Sequence, residues 1–299
     1  MFYFLRKTVV FVACVFAMAA VQSMYAQEKA DLVIYSFDRP MQLYAFLESA
    51  QQYMAGIDEV VVIYRASSVA YDASYSIVKQ TFPSVIYLQQ SEKPLLDFKP
   101  LTVQAVFDSP SRYVIFAVDD IIVKDYICCS DDIQTLEQHN AYGFYYRLGS
   151  HLSYCYTMNA SQAVPPLKQV TEGIYAWQFK QGQHDWGYPN TVDMTLYRKK
   201  DIESFFKNGN YNTPNTLEGR WSGQAGTIMH RTGLCYATSK MVNLPLNRVQ
   251  HDYPNRHMEV SAQELETRFE QGLKIDIKPL FCVANISAHM EYEPTFIQR

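Results

Sequence analysis

Two adjacent carboxylates, Asp119 and Asp120, sit inside the nearly unbroken apolar run Arg112-Tyr-Val-Ile-Phe-Ala-Val-Asp-Asp-Ile-Ile-Val123. A run of this kind fits a strand buried on both faces, as in parallel sheets covered by helices. An ionised carboxylate is not left in such surroundings without a partner. A divalent cation or the hydrogen-bond donors of a ligand would serve, and the C-terminal edge of a parallel sheet is where open α/β folds bind them. The plainer reading, that Asp119 and Asp120 end a strand and cap the next segment, accounts for the same triplet.

The elements that must position this pair alternate. Asp31 to Phe37 is a buried-strand run; Asp38-Arg39-Pro40 breaks it and opens a helix with Pro in its first turn. Leu43, Tyr44, Leu47, Ala50 and Met54 recur at helical spacing up to Gly56. Glu59 to Tyr64 and Val85 to Leu88 read as strands, Ala73 to Thr81 and Lys99 to Asp108 as helices. Strand and helix in alternation up to Asp120 are the mark of βαβ units and a parallel, Rossmann-type sheet. No Gly-x-Gly-x-x-Gly follows the first strand and no Walker loop is present, which excludes the usual dinucleotide and P-loop readings.

The second half is less regular. Helices are expected over Asp125 to Gln138, Lys199 to Lys207, from Thr216, and from the capping box Ser261-Ala-Gln-Glu264 to Gly272. Strands are expected at Tyr142 to Arg147, Tyr154 to Met158, Ile174 to Phe179, Thr191 to Tyr197, Cys235 to Asn243 and Lys274 to Leu280. With no repeat or linker, residues 27–299 read as one domain, 31–125 forming a nucleotide-binding half and 126–299 an acceptor-binding half.

Composition sets outer bounds. A net charge of -4 gives no basic surface for nucleic acid. Arg6 and Lys7 followed by the 14 apolar residues Thr8 to Val21 make 1–26 a signal peptide, or an N-terminal anchor if uncleaved. The chain is therefore expected to be exported, periplasmic or secreted, with membrane contact only if that segment is retained. The cysteines beyond it, Cys128, Cys129, Cys155, Cys235 and Cys282, fit no zinc spacing; a bond such as Cys155 to Cys235 is open, and mostly buried thiols are expected. Asn159-Ala-Ser161 and Asn285-Ile-Ser287 are weak glycosylation sequons.

Several phrases then line up in order: Ser36-Phe-Asp-Arg-Pro40, Phe116-Ala-Val-Asp-Asp120, Asp185-Trp-Gly-Tyr-Pro189, Val192-Asp-Met-Thr-Leu-Tyr-Arg198, Pro214-Asn-Thr-Leu-Glu218 and Val242-Asn-Leu-Pro-Leu-Asn-Arg248. Together they resemble nucleotide-diphospho-sugar glycosyltransferases of the GT-A fold, similar to bacterial family-2-like members. The resemblance implies an α/β, mixed but mainly parallel sheet flanked by helices. It also implies transfer of a sugar to an acceptor hydroxyl on a glycan, lipid or protein.

Members of that fold use an Asp-x-Asp motif and Mn²⁺ or Mg²⁺ to neutralise the diphosphate leaving group, chemistry that suits hard oxygen ligands and a Lewis acid. The resemblance assigns Asp120 to the metal, Asp119 to metal or donor ribose, and His289 as a further ligand; Val118 departs from the motif's first Asp. Donor contacts fall to Ser36, Asp38, Arg39 and Arg65 after the first two strands. Lys99, read as a helix-start cation, joins them as a phosphate contact because a cation there is unfavourable unless it serves a ligand. An inverting reaction needs a carboxylate base; Glu218 stands first, then Asp193, with Asp185 as the third acid, and Trp186, Tyr188 and Trp221 as flanking aromatics.

Three rivals use the same residues differently. A secreted, non-catalytic GT-A-like protein would bind sugar or nucleotide without turnover, and it would explain an export signal on a chain whose donor is not generally found outside the bacterial cytoplasm. A metal-dependent nucleotidyltransferase or phosphohydrolase would use the same sheet edge, but the Gly-rich loop usual in nucleotidyltransferases is missing from Ser36-Phe-Asp-Arg-Pro40. A structural or adhesion protein would seldom alternate strand and helix.

Overall fold

The computed structural model describes residues 27–250 and 252–299. The N-terminal run read as signal or anchor lies outside the described residues.

A nine-stranded sheet runs through the chain. Its strands are β1 (Ala30–Phe37), β2 (Ile57–Arg65), β3 (Ile86–Gln89), β4 (Tyr113–Val118), β5 (Gly143–Gly149), β6 (Lys168–Thr171), β7 (Ile174–Gln178), β8 (Thr195–Arg198) and β9 (Thr232–Tyr236). Their order is β6-β7-β9-β5-β8-β4-β1-β2-β3. The segment β3-β2-β1-β4 is all parallel. Beyond it β8 runs antiparallel to both β4 and β5, β9 is parallel to β5, and β7 and β6 close the far edge antiparallel.

The period of two in β1 explains why its run has no polar alternation. Leu32 and Ile34 point into one core, Val33 and Tyr35 into the other. β4 does the same with Ile115 and Ala117 against Val114 and Phe116. The helices α1 (Pro40–Tyr53), α2 (Val69–Thr81), α4 (Cys129–Gln138) and α7 (Ala262–Glu270) bury side chains in the first core. Those of α3 (Pro94–Phe107), α5 (Lys199–Asn208) and α6 (Pro214–Ser222) enter the second. The result is helix, sheet and helix in three layers, the mixed α/β architecture expected.

Local signals set the boundaries. Pro40 starts α1, Ser68 caps α2 by accepting from Tyr71 N, and Ser261 caps α7 by accepting from Glu264 N at 3.4 Å. Some expectations need correction. α3 begins at Pro94, not Lys99, and carries Pro100 inside it. The Thr191 to Tyr197 strand starts only at Thr195, because Met194 takes a left-handed φ of 36°. The Cys235 to Asn243 stretch breaks into β9 and the short strand Met241–Asn243, which pairs with Ile121–Val123. The 125–138 helix starts at Cys129; the strand expected over Lys274 to Leu280 is confined to Leu273–Ile275, and it is not the last, since it pairs with Phe296–Gln298. Between Tyr154 and Met158 only Tyr154–Cys155 is extended. The five cysteines of the described residues are free, so Cys155 and Cys235 are buried thiols rather than a bridge; Cys282 is exposed. Asn285 is buried, its amide donating to Ser239 Oγ and Ser287 O, so that sequon is closed in the folded chain.

Candidate active site

β4 ends at Val118 and delivers Asp119 and Asp120 to the C-terminal edge of the parallel strands, beside the end of β1. Asp119 is enclosed. Its Oδ2 accepts from Ser36 Oγ at 2.8 Å and Phe37 N at 3.2 Å, and its Oδ1 from Arg39 Nη1 at 3.1 Å. The same Nη1 donates to Asp120 Oδ2 at 2.9 Å, and Asn243 Nδ2 donates to Asp120 Oδ1 at 3.0 Å. Arg39 is held in turn by Asn247, whose Oδ1 accepts from Nε at 2.8 Å and whose carbonyl accepts from Nη2. Burial pushes the Asp119 carboxyl up to about 6, while the Arg39 guanidinium pulls it back down.

The structure brings Ser36, Asp38, Arg39, Arg65 and Asp119 together at this edge. Asp38 sits at a left-handed φ of 52°, accepts from Ser67 N at 2.7 Å and Ser67 Oγ at 2.5 Å, and is raised by burial. Arg65, in register with Phe37 across β1 and β2, lies 4.7 Å from the Phe37 ring. Lys99 does not join them. Its Nζ donates to Gly209 O at 2.7 Å, the carbonyl at the C-terminal end of α5, and sits 5.6 Å from the Tyr211 ring. Because α3 starts upstream of it, the helix-start argument for Lys99 lapses; it stands instead at a helix C-terminus, where a cation is favoured.

The other acids come from the second half. Glu218 on α6 accepts through Oε1 from Thr191 Oγ1 at 2.6 Å and Val192 N at 2.9 Å, and Thr191 Oγ1 accepts from Asp193 N at 3.1 Å. Glu218 therefore braces the turn that carries Asp193. Asp185 receives Arg147 Nη1 on Oδ1 at 3.3 Å and Gln162 Nε2 on Oδ2 at 3.1 Å. Arg147, from β5, also donates to the carbonyls of Asp185 and Tyr188, both at 3.0 Å.

The acids are close enough to sense one another. Burial raises Asp193 to about 6; Arg147 opposes this, and the charges of Asp120 and Asp185 add to it. Burial and then Asp193 raise Glu218 to about 7, against its hydrogen bonds from Thr191 and Val192. His289 is lowered by burial and drawn back by Asp185, Asp120 and Glu218. Its backbone bridges to Asn243, the donor to Asp120, and its ring lies 6.0 Å from Tyr156 in a stack. Asp119 and Asp120, the acids Asp185, Asp193 and Glu218, and His289 thus form one electrostatic cluster. Trp186 and Trp221 are core residues, not exposed platforms.

Arg147 is not singled out by the sequence, and Asn243 and Asn247 enter only within the phrase Val242 to Arg248, without a role. Arg147 had one readable signal, a guanidinium at the end of the apolar run Tyr142 to Arg147, which burial obliges to find an acid. Nothing in a single sequence marks the two asparagines as partners of the acids and Arg39.

The fit to a divalent ion is open rather than closed. Among the described residues no three His, Cys, Asp or Glu side chains gather as a metal cage, and Asp119 is turned to Ser36, Phe37 N and Arg39. Asn243 Oδ1, however, is buried without a hydrogen-bond partner beside Asp120 and His289. An amide oxygen, a carboxylate and an imidazole are a donor set that suits Mn²⁺ or Mg²⁺ with ligand oxygens completing the shell.

No protein-family model matches the chain. It is similar to the bifunctional glycosyltransferase pgtA of Dictyostelium discoideum, 27% identical over a 264-residue alignment that covers 75% of this chain and 33% of that protein. The chain therefore spans about a third of that relative's length. Among solved structures it resembles S. aureus TarS 1-349 in complex with UDP, with TM-score 0.47 and 13% identity over 71% of this chain and 59% of that one. It also resembles 4-diphosphocytidyl-2C-methyl-D-erythritol synthase from Anaerococcus prevotii DSM 20548, with TM-score 0.36 and 11% identity over 66% and 84% of the two chains. The match to pgtA supports a glycosyltransferase fold for this chain.

Proposed function

We propose that the chain is a glycosyltransferase that moves a sugar from a nucleotide-diphospho-sugar to an acceptor hydroxyl. The observation that carries this reading is the electrostatic coupling of Asp119 and Asp120, at the end of β4, with the half-buried acid pair Asp193 and Glu218. Both sides of a transfer reaction need such an arrangement, with acids at the sheet edge for the donor and a raised carboxylate for the acceptor proton.

In this reading Ser36, Asp38 and Arg65 line the nucleoside end of the site, and Asp119 orients the donor through the network it shares with Arg39. Asp193 is the base. It projects from the braced turn, and a carboxylate that titrates near 6 is ionised at neutral pH yet basic enough to take a proton in the transition state. Glu218 positions it, which reverses the order of preference drawn from the sequence. A divalent cation held by Asp120, Asn243 and His289 would supply Lewis-acid stabilisation of the leaving diphosphate.

Calorimetric titration with UDP, GDP and their sugar conjugates, with and without Mn²⁺, tests the donor side; transfer to oligosaccharide acceptors tests the rest. The reading expects one nucleotide to bind, binding to weaken on Asp120→Ala, and turnover to vanish on Asp193→Asn with donor affinity kept. A folded protein that binds none of these nucleotides overturns it. Binding without turnover on any acceptor would favour the non-catalytic alternative.

A further inference from the structure

The N-terminal edge of the parallel strands, opposite the acids, carries an apolar feature that transfer chemistry does not use. A hollow of about 360 Å³ opens between the end of α1 and the segment 126–128, walled by Tyr53, Met54, Ile127 and Tyr236 among others. Around it stand two rings left in water, Tyr126 at 64% and Phe281 at 39% exposure. Phe281 stacks on Tyr53 with centroids 5.0 Å apart, and Tyr126 meets both edge-on at 5.5 and 5.8 Å. Exposed apolar residues scattered singly need no explanation; rings gathered beside an apolar hollow do.

The start of the described chain lies beside them. Ser130 Oγ donates to Glu28 O at 2.8 Å, and Ala30 N donates to Gly56 O at 3.1 Å. Gly56 directly follows Ala55, and Ser130 lies just past Cys128, both in the wall of the hollow. The chain preceding Gln27 therefore joins the fold beside this hollow. It contains the apolar run Thr8 to Val21 behind Arg6 and Lys7. Tyrosine is favoured where hydrocarbon meets water, because the ring is apolar and the hydroxyl stays wet.

We infer that this edge of the sheet rests on a lipid bilayer, with Tyr126 and Phe281 at the headgroup level and the donor edge turned to the aqueous side. The inference stands whether or not the chain transfers sugars.

The native tryptophans Trp177, Trp186 and Trp221 are buried, so an added surface tryptophan is a distinct reporter. The full-length chain carrying Tyr126→Trp is mixed with phosphatidylcholine and phosphatidylglycerol vesicles whose acyl chains are brominated. A second sample carries Leu96→Trp, at a position 70% exposed beyond the opposite end of β3. Bilayer contact quenches the first several times more strongly than the second. In the unsubstituted chain it also slows maleimide labelling of the exposed Cys282, next to Phe281, severalfold. Equal quenching at the two positions overturns the inference, as does labelling that vesicles leave unchanged. Protection of Cys282 by a soluble oligosaccharide in place of vesicles also overturns it and assigns the rings to sugar.

Discussion

Asp193 and Glu218 do different work although they share one environment. Glu218 commits Oε1 to the Thr191–Val192 turn, whereas the only bonds at Asp193 among those described run through its backbone. Asp193→Asn should lower kcat by about 10²–10⁴-fold, the usual contribution of a general base, with donor affinity unchanged by calorimetry. Glu218→Gln keeps an acceptor oxygen for the turn and should lower kcat less. As the proposed base, Asp193 would act when ionised, so kcat/KM should fall as pH drops through about 6. A second acid, Asp132, lies outside the site, fully buried, with Tyr236 donating to Oδ1 at 2.5 Å and Oδ2 without a partner. Burial raises it to about 7. The folded chain therefore binds a proton more tightly than the unfolded chain, and between about pH 4 and 7 stability should fall as pH rises. Asp132→Asn removes this residue's share of that slope, to which the raised Asp119, Asp193 and Glu218 also contribute, and melting at pH 8 should show a gain on the order of 2–4 kcal/mol.

At the scale of elements, α6 is the part whose start matters for chemistry. Thr213 and Thr216 form a reciprocal capping box, and Pro214 follows the cap, so the helix that holds Glu218 is set rigidly. Thr213→Ala should cost about 1 kcal/mol in urea unfolding and lower kcat through the loosened turn. Lys99→Met should cost about 0.5–1 kcal/mol by removing a cation from the end of α5, and leave nucleotide affinity as it was; a large loss of affinity would return Lys99 to the donor site. The entries of α1 at Pro40 and of α7 at the Ser261 cap were readable because those residues act locally, whereas α2, expected from Ala73, starts at Val69 after the Ser68 cap, and α6, expected from Thr216, starts at Pro214. The start of α3 was not, since Pro94 and Pro100 both suit a first turn and only packing chooses between them. The shortening of β8 turns on the positive φ of Met194, a conformation that no methionine announces.

Over the whole molecule the parallel half was legible because its inner strands β1 and β4 are buried apolar runs and the edge strand β3 is a short apolar run, and an acid inside a buried run, as at Asp119, stands out. The mixed half was not, because β8 enters between β4 and β5 and β9 crosses to lie parallel to β5. Neighbours chosen at such separations leave no local mark, which is also why Arg147 and Asn243 escaped notice. A nucleotide that binds this edge should raise the melting temperature, by about 2.7 kcal/mol of stability at a hundred times its Kd, and Asp120→Ala should blunt the shift.

The insertion of β8 also bears on how the chain is made. A ribosome that has released residue 190 has supplied β1 to β4 and β5 but not the strand that joins them. Until Thr195–Arg198 emerges, one rim of β4, Tyr-Val-Ile-Phe-Ala-Val, is bare backbone with strongly β-forming side chains, the type of rim that recruits a second chain. A transcript cut short before Thr195 would thus yield an aggregating product instead of a smaller working domain, and chaperones would be needed for as long as translation takes to cross that interval.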